Sequence, residues 1–142
     1  MNVTETKRAL DKLVRSLTNV RAEVGVARTP PRQFAYAKVM PPADDGTYAV
    51  VWSPGDRWFN LDSSARFGTF EIGEGFEDEM VTRILANYLD AAVELVLGRA
   101  APGTSKTLKR PVLTVTLDVG LMTLRRSSPA AFERALSRRS PW

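Results

Sequence analysis

The chain has 142 residues, 44% hydrophobic and 25% charged, which is enough for one globular domain with a real core. It contains no cysteine and no histidine. That removes disulfides, thiolate chemistry, the usual base near neutral pH and the commonest metal ligand, and it makes serine triads, zinc hydrolases and most metal oxygenases poor candidates. The net charge of +4 hides an asymmetry: residues 71–98 carry seven acidic groups against one basic, and residues 99–142 nine basic against two acidic. Such segments either complement each other within a fold or face different partners.

No stretch approaches the ~18 uninterrupted apolar residues of a membrane span. The opening MNVTETKRALDKLVRSL lacks the apolar run and small-residue cleavage site of a secretory signal. Together with the absence of cysteine, this leads us to expect a cytoplasmic protein with no membrane partner.

Leu10, Leu13, Val14, Leu17, Val20 and Val24 recur at three- and four-residue steps, with Lys7, Lys12, Arg15 and Arg21 on the other side. This spacing predicts a long basic first helix, opened by a capping box of Asn2 and Glu5 and stopped at Gly25. Thr29-Pro30-Pro31 then predicts an extended connection. Four short strands are expected next: Phe34–Met40, Thr47–Trp52, Trp58–Asp62 and Phe67–Ile72. Period-two alternation puts Tyr48, Val50 and Trp52 on one face, and Phe59 and Leu61 opposite Trp58, Asn60 and Asp62. Phe70 and Ile72 likewise oppose Phe67, Thr69 and Glu71. The connections are short, so an antiparallel meander follows.

Phe76 to Gly98 carries one broad apolar stripe that includes Val81, Leu85, Leu89 and Val96, with Glu77, Asp78 and Glu79 in the first turn. After a loop at residues 99–105, Leu113, Val115, Leu117 and Val119 alternate as a half-buried strand over Pro111–Val119. Gly120 breaks that strand, and Leu121–Leu124 form a possible return. Ser128 and Pro129 suit the N-cap and first position of a last helix, Ala130–Arg139. The expected fold is α+β: an N-terminal helix, a four-stranded antiparallel meander, a long amphipathic helix, then one or two C-terminal strands and a short basic helix. We expect a single domain over 1–142, with its core in about 1–98 and an extension in about 106–140.

Three stretches invite a functional reading. Trp52-Ser53-Pro54-Gly55-Asp56-Arg57-Trp58 has the chemistry of a type II turn, with Pro fixing φ and Gly accepting positive φ. It reads either as a plain hairpin or as a projecting tip that presents Arg57 and Trp58, residue types favoured as interface anchors. We take these seven residues as the expected partner-binding segment. Glu71 to Glu79 holds five carboxylates, but helix-start electrostatics explains three of them, and calcium-loop spacing is missing. No catalytic residue, metal or cofactor is therefore expected. Lys106, Lys109, Arg110, Arg125, Arg126, Arg134, Arg138 and Arg139 form a basic set that would attract phosphates, though no aromatic residues interleave with them.

The order and spacing of Asp45-Gly46, Val51-Trp52-Ser53, the following strand pair, Phe70, and Leu85…Tyr88-Leu89…Gly98-Arg99 resemble an actinobacterial immunity-protein family. That family includes the antitoxin of the tuberculosis necrotizing toxin. The similarity runs from about Tyr36 to Arg99, and the basic first helix and C-terminal extension lie outside it. It implies a small, non-catalytic protein that binds a cognate toxin and blocks its cleft. Two other readings stand beside it: a protein-binding adaptor, such as a secretion chaperone or a phage-encoded host-factor binder, and a basic nucleic-acid-binding protein.

Overall fold

A computed structural model describes residues 1–29 and 32–137. Asn2 opens helix α1 (Val3–Val14) with the expected capping box: its side chain accepts from the Glu5 amide at 2.8 Å, and Glu5 accepts from the Asn2 amide at 3.1 Å. The helix ends at Val14 instead of continuing to Gly25. Ser16 donates its hydroxyl to the Leu13 carbonyl, and Asn19 turns the chain at φ 64°. Residues expected to continue the helix form strand β1 (Arg21–Thr29), which pairs along its whole length with β2 (Arg32–Met40). Val20 and Val24 satisfy a four-residue step and a two-residue alternation equally well, so their spacing does not decide between helix and strand. Pairing with β2 does. Thr29 sits opposite Arg32 in the antiparallel pair; the extended connection expected at the prolines falls on Pro30 and Pro31, which lie outside the described residues.

The next three strands, β3 (Ala49–Ser53), β4 (Trp58–Ser63) and β5 (Phe67–Ile72), follow β2 as antiparallel neighbours. The sheet is not four-stranded, however. Among the described residues it has eight antiparallel strands in the order β1-β2-β3-β4-β5-β8-β7-β6. The long helix is α2 (Asp78–Val96). The expected loop at residues 99–105 contains β6 (Ala101–Thr104), an exposed edge strand paired to β7 (Pro111–Leu117), and β8 (Gly120–Arg126) completes that hairpin. Pro102 is tolerated because an edge strand needs no donor on its outer side. Helix α3 covers Ala130–Ser137, with Ser128 accepting from the Ala130 amide at 3.3 Å as its cap.

Helices α1 and α2 lie together on one face of the sheet. There Leu10, Val81, Leu85, Leu89 and Ala92 bury Ala37, Val39, Val51, Phe59 and Leu61. Val115 and Leu124 belong to the same cluster, so the core extends past residue 98 into the C-terminal hairpin. The opposite face is partly covered by α3, whose Phe132 is buried among Ala27, Phe34, Val50 and Trp52. Two helices, a sheet and a single short helix thus form three layers.

Candidate functional site

The Ser53–Trp58 turn does not project. Gly55 has φ +107°, as the turn chemistry predicts, but the turn is folded down onto the start of α1. A Cβ added at Gly55 would stand 2.1 Å from Thr6 Oγ1 and 2.7 Å from the Met1 carbonyl oxygen, so only glycine allows this approach. Ser53 is buried; its hydroxyl accepts from the Gly55 amide at 2.9 Å and donates to the Trp58 carbonyl at 2.6 Å. Of the seven expected contact residues, Trp52, Ser53 and Gly55 are buried and structural. Pro54 and Trp58 are half-buried, and Asp56 and Arg57 are exposed.

Trp52 looks inward to an aromatic layer on the α3 side of the sheet. Its ring centroid lies 4.8 Å from Phe34, 5.1 Å from Trp58 and 5.8 Å from Phe132, in tilted or edge arrangements. Tyr36 meets Phe132 edge-on at 5.3 Å. Asp62 is buried beneath this layer. Its two oxygens accept from the Trp52 indole N–H at 2.9 Å and the Ser127 hydroxyl at 3.0 Å. Burial raises its carboxyl above the usual carboxylate range, and the two hydrogen bonds pull it part of the way back. Tyr48 donates to Glu133 on α3, and its hydroxyl is raised first by burial and then by that carboxylate. Both oxygens of Asp62 are thus committed to structural donors, and this layer reads as a clasp for α3.

Apolar side chains are left open on β5, as they are at Val119 and Leu121 by the β7–β8 turn. Phe70 is 66% exposed and Ile72 76% exposed, on the same side of the sheet as half-buried Trp58 and Asn60, with which they are in register. On its other side β5 pairs with β8 only through Phe67 and Gly68. From Thr69 onward its outer edge has no strand partner among the described residues. Exposed Arg57 adjoins this strip, its carbonyl accepting from the Gly73 amide at 2.8 Å. The alternation that placed Phe70 and Ile72 on one face was legible in the sequence. Nothing in it distinguished a covered face from a bare one.

The basic residues separate into groups. Lys106, Lys109 and Arg110 are exposed on the β6–β7 turn, Arg125 and Arg126 on β8, and Arg134 on α3. Arg138 and Arg139 lie outside the described residues. Strand pairing adds a residue that the sequence reading had not joined to them, Arg66, whose carbonyl accepts from the Ser127 amide at 2.9 Å.

The acidic segment serves local structure. Asp78 and Glu79 occupy the first turn of α2, and Glu71 accepts from the buried Tyr88 hydroxyl at 3.2 Å. An open cavity of about 290 Å³ lies where the end of α1, the last turns of α2 and β7 meet. Asp90, Glu94 and Asp118 line it; the Asp90 carboxyl is raised by burial and then by the other two charges. Arg99 approaches Glu94 to 3.7 Å there. Among the described residues, no three carboxylates are arranged to hold a metal ion, and no helix is long and apolar enough to cross a membrane. No family model, curated protein or solved structure matches the chain.

Proposed function

We propose that the chain is a non-catalytic, immunity-type protein that binds a cognate effector and occludes it with the β4–β5 surface, using Trp58, Phe70, Ile72 and Arg57. One observation carries this reading: two large apolar side chains, Phe70 and Ile72, stand in solvent beside a strand edge that has no partner among the described residues from Thr69 to Ile72. A bare edge with alternating apolar side chains is a template for an added strand or a flat protein partner, and a protein left alone would cover or charge it. Tryptophan and arginine beside it are the side chains that most often anchor such contacts. The buried half of the expected tip, Trp52, Ser53 and Gly55, supports this surface from behind and is not itself the contact.

The toxin-directed form of the reading rests only on the resemblance noted from the sequence over residues 36–99. Pull-down from the native host, with wild type beside a Phe70→Ser/Ile72→Ser double variant, tests both parts. A partner lost by the double variant, together with protection of cells from that partner, supports the proposal. Capture without protection favours an adaptor role on the same surface, and capture undiminished by the double variant removes the surface.

A further inference from the structure

Six basic side chains far apart in the sequence meet at one end of the sheet. Arg125 is in register with Gly68 on one side and Val112 on the other, and Arg126 is opposite Phe67. This places Arg125 and Arg126 between Arg66, on the β4–β5 turn, and Lys106, Lys109 and Arg110, on the β6–β7 turn. All six are exposed, and none forms an ion pair among the described residues. Arg126 lies over the ring of half-buried Phe67, 5.5 Å from its centroid. Arg125 and Arg126 are consecutive in a strand and point to opposite faces, so the charge wraps around the rim of the sheet.

The β6–β7 turn is held in shape. The Ser105 amide donates to the Arg110 carbonyl at 2.9 Å, the Arg110 amide to the Ser105 hydroxyl at 3.0 Å, and the Lys109 amide to the Ser105 carbonyl at 3.1 Å. Leu108, 63% exposed, is part of this basic turn. The turn is therefore a firm cationic loop at the edge of the sheet, carrying one exposed apolar side chain.

We propose that this rim binds the phosphate backbone of duplex nucleic acid, with the β6–β7 turn directed at a groove. An exposed leucine such as Leu108 is a side chain of the kind that wedges between base steps. Spread cations with no acidic partner suit a line of phosphates. Among the described residues, this end carries no exposed aromatic side chain of the kind a protein partner or unstacked bases would use. The exposed Phe70 lies three residues along β5 from Phe67, about 10 Å at about 3.4 Å per residue. The inference stands apart from the protein-binding surface and does not depend on it.

The test is anisotropy of a labelled 20-base-pair mixed-sequence DNA duplex titrated with the full chain between 50 and 200 mM salt. With about five phosphates engaged, log affinity falls against log salt with a slope of about −4.5, a loss of several hundred-fold over this range. Lys109→Glu/Arg110→Glu should reduce the slope by about 2. Arg8→Glu/Lys12→Glu on α1 changes net charge equally and should leave the slope in place. No binding at 50 mM salt overturns the proposal, and so does an equal loss from the two double variants, which would mean net-charge attraction without a site. Flotation with phosphatidylglycerol vesicles is the other arm. Vesicle binding abolished by Leu108→Asp, with no duplex binding, would assign the rim to a lipid surface instead and overturn the proposal.

Discussion

Trp52 and Asp62 share a buried hydrogen bond across the β3–β4 pair, the indole N–H donating to Oδ2 at 2.9 Å. Ser127, 65 residues further along the chain, closes the other oxygen at 3.0 Å. One carboxylate thus ties the middle of the sheet to the point where the chain leaves β8 and turns toward α3. Both donors would be left unpaired by Asp62→Ala, so that variant should lose about 1–3 kcal/mol in urea unfolding. Asp62→Asn keeps an acceptor for the indole and should cost less.

The same carboxyl sets a pH dependence whose sign is opposite to that of a salt-bridged acid. Its folded pKa lies above the ordinary value of 3.8, so folding favours the protonated form. The associated stability is fully present below about pH 3.8 and is lost as pH rises through the raised folded value. Unfolding curves for wild type and Asp62→Asn, compared from pH 3.5 to 7, should show wild type losing ground to the variant as pH rises. A constant difference would show that the site does not titrate with folding.

Gly55 and Gly75 separate packing from backbone strain. Both have positive φ, +107° and +69°, but a Cβ at Gly75 meets nothing within 4 Å, while one at Gly55 meets Thr6 and the Met1 backbone. Gly75→Ala should cost about 1 kcal/mol from the backbone alone, and Gly55→Ala about 3 kcal/mol, because the turn must lift off α1. Thermal melts check this, with each kcal/mol worth about 3 °C in a chain of this size. Equal losses would show that the turn is not pressed against the helix.

These contacts show where the sequence was readable and where it was not. Period-two alternation gave the correct faces of β3, β4 and β5, because their connections are short and successive residues must point to opposite layers. It failed at Val20 and Val24, where two valines four apart suit a helix and a strand alike, and the deciding interaction was β2, ten or more residues away. It also failed at β6, whose Ala-Pro-Gly-Thr sequence has turn composition and is extended only because β7 lies alongside. At the candidate sites, residue types pointed to Arg57 and Trp58 but not to the burial of Gly55, which depends on the turn folding down onto α1, or of Trp52, which depends on Phe132 of α3. The meeting of Arg66 with Arg125 and Arg126 is a product of strand register and had no local signal.

Phe132 is the main apolar attachment of α3. It is 1% exposed and packs with Phe34, Tyr36 and Trp52. Phe132→Ala should release α3 while leaving the sheet and the two helices on its other face folded. The loss should approach the 3–5 kcal/mol of a buried aromatic only for the α3 clasp itself. Tryptophan emission should shift to the red as Trp52 and Trp58 meet water, and amide exchange should accelerate over residues 130–137 with little change in α2. Unchanged emission would mean that α3 is held by its polar contacts, Tyr48–Glu133 and Ser127–Asp62.

Phe70→Ser/Ile72→Ser is the variant that distinguishes function from folding. Because both side chains already stand in solvent, unfolding free energy should change by no more than about 0.5 kcal/mol. Under the proposed function, binding to a protein partner captured by wild type should weaken by about 30-fold or more, the effect of losing a 2 kcal/mol anchor. The comparison variant is Phe59→Ser, one strand away and fully buried, which should unfold the protein instead. Stability and binding are then read on the same samples by urea titration and calorimetry. If the Phe70/Ile72 variant melts early, the two side chains are packing residues after all, and if it is stable yet binds at full strength, the partner sits elsewhere.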